Sequence, residues 1–115
     1  MNNYKKLIVW QKSIQLVKEV YLLTSKFPKE EVYGLTSQMR RASVSIPSNV
    51  AEGSLRKNDK EFKHFLRIAF GSGGELETQI EIAKMLPKTN GLGYSNVESL
   101  LPEVMKMLNK IINRD

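Results

Sequence analysis

The stretch NDKEFKHFLRIAFGSGGELETQIEIAKML, residues 58–86, decides the fold class of this chain. Its apolar residues recur at spacings of three and four, which is typical of an amphipathic helix. Asn58 followed by Glu61 matches a capping box at a helix start, and Pro87 disfavours helix at the residue before it. One long helix is therefore predicted over residues 59–86. Its predicted core face consists of Phe62, Phe65, Leu66, Ala69, Gly73, Leu76, Ile80 and Ala83.

The same periodicity predicts three further helices, over about residues 7–26, 32–54 and 95–113. Pro28 separates the first two, and the sequence KTNGLG provides a turn before the last one. Ser95 and Glu98 repeat the capping-box spacing at the start of that last helix. Four amphipathic helices with short connections and almost no strand signal predict a single domain, residues 1–115. We expect an all-α, antiparallel up-down four-helix bundle.

The predicted first helix carries two apolar stripes. One is the predicted core face and consists of Trp10, Ile14, Val17 and Tyr21. The other is rotated by about a third of a turn and consists of Val9, Leu16, Val20, Leu23 and Phe27. The third helix has a similar extra stripe of Ile68, Ile82 and Leu86. A small bundle core uses one broad apolar stripe per helix, so the extra stripes predict a second contact surface and hence a homo-oligomer. The alternative is a single core face that is wide.

Composition narrows the function classes. The chain has 115 residues, no cysteine, a net charge of +6 and an isoelectric point near 9.6. The lack of cysteine excludes a disulfide framework and thiolate metal sites, and the start MNNYKK lacks the apolar run of a signal peptide or membrane span. We expect a cytoplasmic protein with no membrane partner. The basic charge favours an anionic partner such as structured RNA or DNA, and a solvated basic surface is the alternative.

No cluster of residues predicts catalysis. His64 is the only histidine and lacks the Glu-x-x-His partner that metal sites in bundles use. Glu77 and Glu81 share a helix face with Glu75 nearby, but paired acids on a helix are usually a solvated face. Only that acidic cluster, beside Ser45 and Asn49, leaves room for an active site. We expect a non-enzymatic protein with no catalytic residue, cofactor or metal ligand.

The segment SIPSNVAEGS, residues 45–54, interrupts the second helix with polar residues and a proline. Pro47 is predicted to kink this helix, and a split at that position is the alternative. On a helical wheel one flank of the helix carries Gln38, Ser45, Asn49 and Glu52. We expect these side chains to hydrogen bond to neighbouring helices at a structural seam or subunit interface.

Glycines in the second and third helices need a physical reason, because each costs about 1 kcal/mol relative to alanine. The stretch GSGGE, residues 71–75, has no preceding strand and no Gly-Lys-Ser/Thr ending, so a phosphate-binding loop is not expected. Gly53 and Gly73 are instead predicted to allow close approach of neighbouring helices.

Basic residues cluster at the start of the third helix, where Asp59 and Glu61 are the only acids between residues 55 and 68. We predict phosphate contacts with RNA or DNA through Arg56, Lys57, Lys60, Lys63 and Arg67. Arg40 or Arg41 on the second helix are further candidates. Since few aromatic residues are expected on the surface, the predicted binding is salt-sensitive and weakly selective for sequence.

These motifs carry a resemblance to a known family. The chain from Val9 to Leu86 resembles the four-helix-bundle family encoded within intervening sequences of bacterial 23S ribosomal RNA genes. Gly73-Gly74 departs from the family pattern, in which bulkier or helix-favouring residues are usual. The most specific matches are Trp10-Gln11, Phe27-Pro28, Gly34-Leu35-Thr36, Gln38, Arg41, Ser45-Ile46-Pro47-Ser48-Asn49, Ala51-Glu52-Gly53, Gly71-Ser72 and Glu75-Leu76-Glu77.

The resemblance implies a bundle that assembles into a ring-shaped homopentamer and has no enzymatic reaction. A more distant resemblance, to the accessory variability determinant of diversity-generating retroelements, implies a basic pentameric barrel that binds nucleic acid and a reverse transcriptase. Two hypotheses follow. The first is a non-catalytic homo-oligomer that binds RNA or DNA through a basic surface. The second is a scaffold or adaptor that binds another protein and has no direct nucleic-acid role.

Overall fold

The computed structural model describes residues 3–115, which form four α-helices and no strand. The helices are α1 (Ile8–Thr24), α2 (Leu35–Ser54), α3 (Asp59–Met85) and α4 (Ser95–Ile112). Single 3-10 turns at Tyr4–Lys6 and Lys29–Glu31 precede α1 and α2. The predicted all-α fold with four helices is confirmed.

Each helix packs against two neighbours, in the order α1, α2, α3, α4 and back to α1. Neighbouring helices run antiparallel. Thr24 at the end of α1 contacts Arg40 near the start of α2, and Lys84 at the end of α3 pairs with Glu98 at the start of α4. The bundle measures 46 × 21 × 19 Å, so its two ends are well separated along the long axis.

The core is a row of fully buried side chains contributed by all four helices. Burial of an aliphatic side chain of this size stabilises the fold by about 1.5–3 kcal/mol. Packing along the bundle axis therefore holds the helices together. The largest members of the row are Leu16, Val20, Met39, Ile46, Val50, Leu66, Leu76, Val97, Val104 and Leu108.

The predicted core face of α1 is wrong. The apolar stripe from Val9 to Phe27 is buried, whereas Ile14 and Tyr21 of the predicted face are 40% and 42% exposed. Ser13 lies within the buried stripe, and its hydroxyl donates to the Trp10 carbonyl oxygen at 2.8 Å. A serine hydroxyl can form its hydrogen bond within its own helix, so Ser13 can be buried without interrupting the packed face of α1.

Side chains cap two of the helices. Asn58 Oδ1 accepts a hydrogen bond from the Glu61 backbone N–H at 2.9 Å, and the Asn58 amide donates to the Glu61 carboxylate at 2.7 Å. This is the predicted capping box of α3. At the start of α2, Glu31 Oε1 accepts from the Leu35 N–H at 3.0 Å. The carboxylate lies where the positive end of the helix dipole stabilises it.

The capping box predicted at Ser95 is wrong, and buried polar groups anchor the α3–α4 connection instead. Tyr94 occupies the N-cap position of α4, and Glu98 pairs with the end of α3. The Tyr94 hydroxyl donates to the Thr89 carbonyl oxygen at 2.7 Å, and the Thr89 hydroxyl donates to the Ala83 carbonyl oxygen at 2.6 Å. Burial raises the pKa of Tyr94, so this hydroxyl stays protonated as a donor.

Helix α2 continues through Pro47, so the proline does not split it. Gly53 allows the end of α2 to lie against α3. A Cβ atom at Gly53 would lie 2.9 Å from Phe65 Cβ and 3.0 Å from the Phe62 carbonyl oxygen. Gly73 is buried against the side chain of Met105 in α4. Both glycines therefore make room for atoms of a neighbouring helix.

Candidate nucleic-acid interface

The start of α1, the α2–α3 connection and the C-terminus meet at one end of the antiparallel bundle. We call residues 3–7, 53–63 and 110–115 the basic end. This end carries eight basic residues and three acidic residues, so it concentrates the positive charge of the chain. The basic residues are Lys5, Lys6, Arg56, Lys57, Lys60, Lys63, Lys110 and Arg114.

The opposite end, residues 24–34 and 84–98, has four basic and three acidic residues, and we call it the paired end. Lys84 binds Glu98 at 2.6 Å, and Lys88 binds Glu30. The hydrogen bond from Lys88 lowers the pKa of Glu30, and the same contact raises the pKa of Lys88. Much of the charge at this end is therefore neutralised within the chain.

Two of the predicted phosphate ligands are engaged inside the protein. Arg56 pairs with Glu52, and its guanidinium lies 4.7 Å from the centroid of the Phe65 ring. The Lys63 side chain is only 13% exposed, lies 3.0 Å from the Asp59 carboxylate and donates to a backbone carbonyl near the C-terminus. These contacts shape the basic end and make both side chains less available to a phosphate.

Three other predicted ligands are open to solvent. Lys57, Lys60 and Arg67 are exposed and form no ion pair with any residue between 3 and 115. On α3, Lys60 and Arg67 share one outward face. The sequence prediction missed Lys5, Lys6 and Lys110, which are also exposed. The predicted antiparallel bundle could have identified these three lysines, because it brings both chain termini to the α2–α3 connection.

Arg40 and Arg41 lie on α2, away from the basic end. Arg40 donates to the Thr24 hydroxyl at 2.9 Å and lies 4.4 Å from the centroid of the Tyr21 ring, so it joins α2 to α1. Arg41 lines a groove of about 370 Å³ between α2 and α3. The remaining residues of that groove are Gln38, Ala42, Ser45, Ser72 and Glu75.

Part of the predicted polar flank of α2 forms a seam with α3. Ser45 Oγ lies 2.8 Å from Ser72 Oγ, and the Asn49 amide donates to Ser45 Oγ at 3.0 Å. Glu52 is not part of this seam, because it binds Arg56 one turn later in the chain.

The predicted cluster of three acids on α3 is divided between two surfaces. Glu75 lines the α2–α3 groove, while the other two, Glu77 and Glu81, line a groove beside α4.

A cavity of about 560 Å³ opens at the basic end. Its volume is within the range of about 300–1,000 Å³ that is usual for small-ligand sites. Four basic residues, one acidic residue and two aromatic residues line it. They are Lys6, Arg56, Lys57, Arg114, Asp59, Tyr4 and Phe62. The rest of the lining comes from Asn3, Leu7, Gly53, Ser54 and Asn58.

Residues 5–110 match the family described as 23S rRNA-intervening sequence protein. The chain belongs to this family. Its fold is also similar to a crystal structure of a protein with unknown function from the S23 ribosomal protein family of Bacteroides thetaiotaomicron VPI-5482. The TM-score is 0.75 at 20% sequence identity, and the match covers 93% of this chain and 100% of the other. No curated protein matches the sequence.

Residues 3–115 of this 23S rRNA-intervening sequence protein contain no group of three histidine or acidic side chains arranged to hold a metal ion. None of the helices in that range is long and apolar enough to cross a lipid bilayer. His64 is exposed, and its ring centroid lies 5.3 Å from that of Phe65 in an edge-on contact.

Two apolar strips remain exposed on the sides of the bundle. The first lies along α1 and α2 and consists of Ile14, Tyr21 and Val44. The second lies along α3 and consists of Ile68, Ile82 and Leu86. The strips lie at different positions around the bundle, since the first borders the α1–α2 contact made by Arg40 and the second borders the α2–α3 seam.

Proposed function

We propose that this protein is a non-catalytic, cytoplasmic homo-oligomer that binds structured RNA or DNA through its basic end. The observation that carries the proposal is the excess of eight basic over three acidic residues at that end, with Lys57 and Lys60 exposed and unpaired among residues 3–115. Lysine and arginine side chains that neutralise phosphates release condensed counterions, which favours binding. The family name refers to 23S rRNA, so RNA is the first ligand to test.

The chemistry of these side chains favours contacts to phosphate over contacts to base edges. Arg56 is held by Glu52 and Phe65, so its guanidinium is not free to form a bidentate bond to a guanine. Lysines dominate the unpaired set, and a lysine ammonium contacts phosphate as a point charge. Binding of this kind weakens steeply as salt rises and discriminates little between sequences.

The two apolar strips support self-association. A contact between two different surfaces of the same protein repeats around an axis, and it closes into a ring when the rotation allows it. We propose that the α1–α2 strip of one subunit packs on the α3 strip of the next, in a ring of the five copies that the family resemblance implies. A bend of α2 at Pro47 would help set the angle between subunits. The ring would present several basic ends to one polyanion, which raises its affinity.

The proposal is tested with two double variants that change the net charge by the same amount. Lys57→Glu with Lys60→Glu alters the basic end, and Lys26→Glu with Lys29→Glu alters two exposed lysines of the paired end. Fluorescence anisotropy measures the affinity for an RNA hairpin and for a DNA hairpin of the same sequence. We expect the first variant to lose at least about tenfold in affinity and the second less than about threefold, because phosphates lie against the basic end.

The same proteins are analysed by light scattering during size exclusion. An unchanged mass for both double variants shows that any loss of affinity is not a loss of assembly. Equal losses in the two variants would overturn the basic end as the binding surface. A monomer in every sample would overturn the ring.

A scaffold for another protein is the second candidate function, and the exposed apolar strips favour it. Protein contacts use apolar patches of this kind, which nucleic-acid backbones do not need. The two functions separate in the same experiment. An assembled protein that retains neither hairpin at low salt would exclude direct nucleic-acid binding and leave the scaffold.

A further inference from the structure

We infer that the cavity at the basic end holds one unstacked nucleotide of the bound nucleic acid. This inference rests on the proposed function, and it names the part of the nucleic acid that the basic end recognises. The base would lie against Tyr4 and Phe62, and the phosphate would lie against Lys6 and Lys57 at the rim.

The lining combines the two kinds of group that a nucleotide requires. Tyr4 and Phe62 are partly buried aromatic residues, and every base offers a flat face that stacks on such rings. Lys6 and Lys57 are exposed and form no ion pair with residues 3–115, so their ammonium groups are available to a phosphate. A purely electrostatic surface needs only the lysines. The aromatic rings in the lining favour a base, because a base can stack on them.

The acidic residue in the lining does not oppose an anion at full strength. Asp59 lies 3.0 Å from Lys63 Nζ and 3.8 Å from a guanidinium nitrogen of Arg114. These two cations offset its charge. The N-terminus of α3 opens at the same place, and its positive end adds a favourable field for phosphate.

Contacts within the chain hold the part of the cavity wall that α2 and the start of α3 contribute. Arg56 is held by Glu52 and by the Phe65 ring, and the absence of a side chain at Gly53 lets α2 lie directly against α3. Asn58 is locked in the capping box of α3. A preformed pocket costs less ordering entropy on binding than one that must be assembled.

The chain carries a reporter for this site. Trp10 is the only tryptophan, and its ring centroid lies 5.5 Å from that of Tyr4. A base that stacks on Tyr4 changes the surroundings of the Trp10 ring. The intrinsic fluorescence of the protein therefore reports occupancy of the cavity without a label.

The experiment compares two RNA hairpins that differ by one bulged adenosine in the stem. Fluorescence anisotropy measures both affinities, and their ratio removes electrostatic effects common to the two hairpins. We expect the bulged hairpin to bind about 5- to 150-fold more tightly, the range for stacking of one base on an aromatic side chain. Adenosine 5′-monophosphate is titrated separately, with Trp10 fluorescence as the readout.

Matched variants locate the effect. Tyr4→Leu removes the stacking ring, and Tyr33→Leu removes an exposed ring at the paired end. Lys57→Glu alters the cavity rim, and Lys60→Glu alters an exposed lysine that does not line the cavity. We expect the preference for the bulged hairpin to fall in Tyr4→Leu and Lys57→Glu and to persist in the two controls. Circular dichroism confirms that each variant is helical.

The outcomes separate this inference from the proposed function. Equal binding of both hairpins, with equal losses in Lys57→Glu and Lys60→Glu, would overturn the nucleotide cavity and leave the basic end as a phosphate surface. Binding of the mononucleotide without binding of either hairpin would overturn the proposed function and retain the cavity as a site for free nucleotides. Failure of all three ligands would overturn both.

Discussion

At the paired end Lys84 and Lys88 each contact a glutamate, whereas at the basic end Lys57 and Lys60 contact no acid among residues 3–115. The connections differ as well. The paired end closes α3 onto α4 with two buried hydroxyl groups, those of Thr89 and Tyr94. The basic end closes α2 onto α3 with a four-residue connection beside an open, polar cavity.

The difference shows which charges have partners within the chain. Ion pairs and buried hydroxyls at the paired end are used within the chain, and they fix the α1–α2 and α3–α4 connections. At the basic end the α2–α3 connection is held by close packing at Gly53 and by the capping box at Asn58. Neither of these features requires a lysine. Lys57 and Lys60 at the basic end therefore make no ion pair among residues 3–115 that the fold would lose, and the proposed binding of nucleic acid would give these two side chains a role.

The largest expected effect concerns the packing that supports the basic end. Gly53→Ala forces a Cβ atom to within 2.9 Å of Phe65 Cβ, so α2 and α3 must separate. We expect a net loss of about 1–2 kcal/mol in the free energy of unfolding, because overpacking outweighs the gain in helix propensity. Chemical denaturation monitored by circular dichroism measures it.

Gly74→Ala is the matched control within α3, where a new Cβ meets no atom within 4 Å. We expect this variant to gain about 0.5–1 kcal/mol, as for an unconstrained glycine in a helix. Two changes of the same sign would show that propensity alone decides both positions, and that close packing at Gly53 does not support the basic end.

The sequence predicted much of this fold because most signals were local. The capping box at Asn58 and the apolar spacing of α3 depend on residues within a few turns of each other, so they do not need the tertiary structure. The core face of α1 was different. Helix α1 has two apolar stripes, and either could form the core face. Ser13 is a polar residue within the longer stripe, but it is buried together with its apolar neighbours. Only contact with α2 and α4 decides between such stripes.

The candidate site was predicted in part for the same reason. The cluster from Arg56 to Arg67 is contiguous, so its charge is visible in the sequence. Lys6, Tyr4 and Arg114 join it only because antiparallel helices bring both termini to one end. The engagement of Lys63 by Asp59 and of Arg40 by Tyr21 depends on side-chain conformation and on helix pairing. Spacing alone does not reveal which cation is free.

A second change sharpens the comparison by removing an acid from the basic end. Asp59→Asn leaves Lys63 and Arg114 without their carboxylate. We expect affinity for an RNA hairpin to rise about threefold, the effect of one charge at about 7 Å in water. The unfolding free energy should fall by less than about 1 kcal/mol, because the Asp59 side chain is largely exposed. Anisotropy and denaturation measure the two quantities.

A rise in affinity together with a fall in stability would show that Asp59 stabilises the fold and opposes the bound anion. Glu98→Gln at the paired end is the matched control, because it removes one acid from the Lys84 pair. Its affinity for the hairpin should not change. An increase of the same size in both variants would mean that net charge, and not position, controls binding.

The smallest expected effect tests whether the ion pairs of the paired end act within the chain. Lys88→Met removes the partner of Glu30, and Lys26→Met is the control at an exposed lysine with no ion pair among residues 3–115. The fold lowers the pKa of Glu30 below 4.5 and raises the pKa of Lys88 above 10.5. Both shifts mean that the folded chain favours the charged forms.

The sign of the pH dependence follows from these directions. The Glu30 contribution is complete above its ordinary pKa of 4.5 and is lost as pH falls through the lowered folded value. The Lys88 contribution is complete below 10.5 and is lost as pH rises through the raised folded value. Lys88→Met should therefore melt slightly below the parent protein between these limits and together with it at strongly acidic pH. A melting difference that persists in acid would show that the ion pair is not its cause, because Glu30 is protonated there and the pair no longer exists.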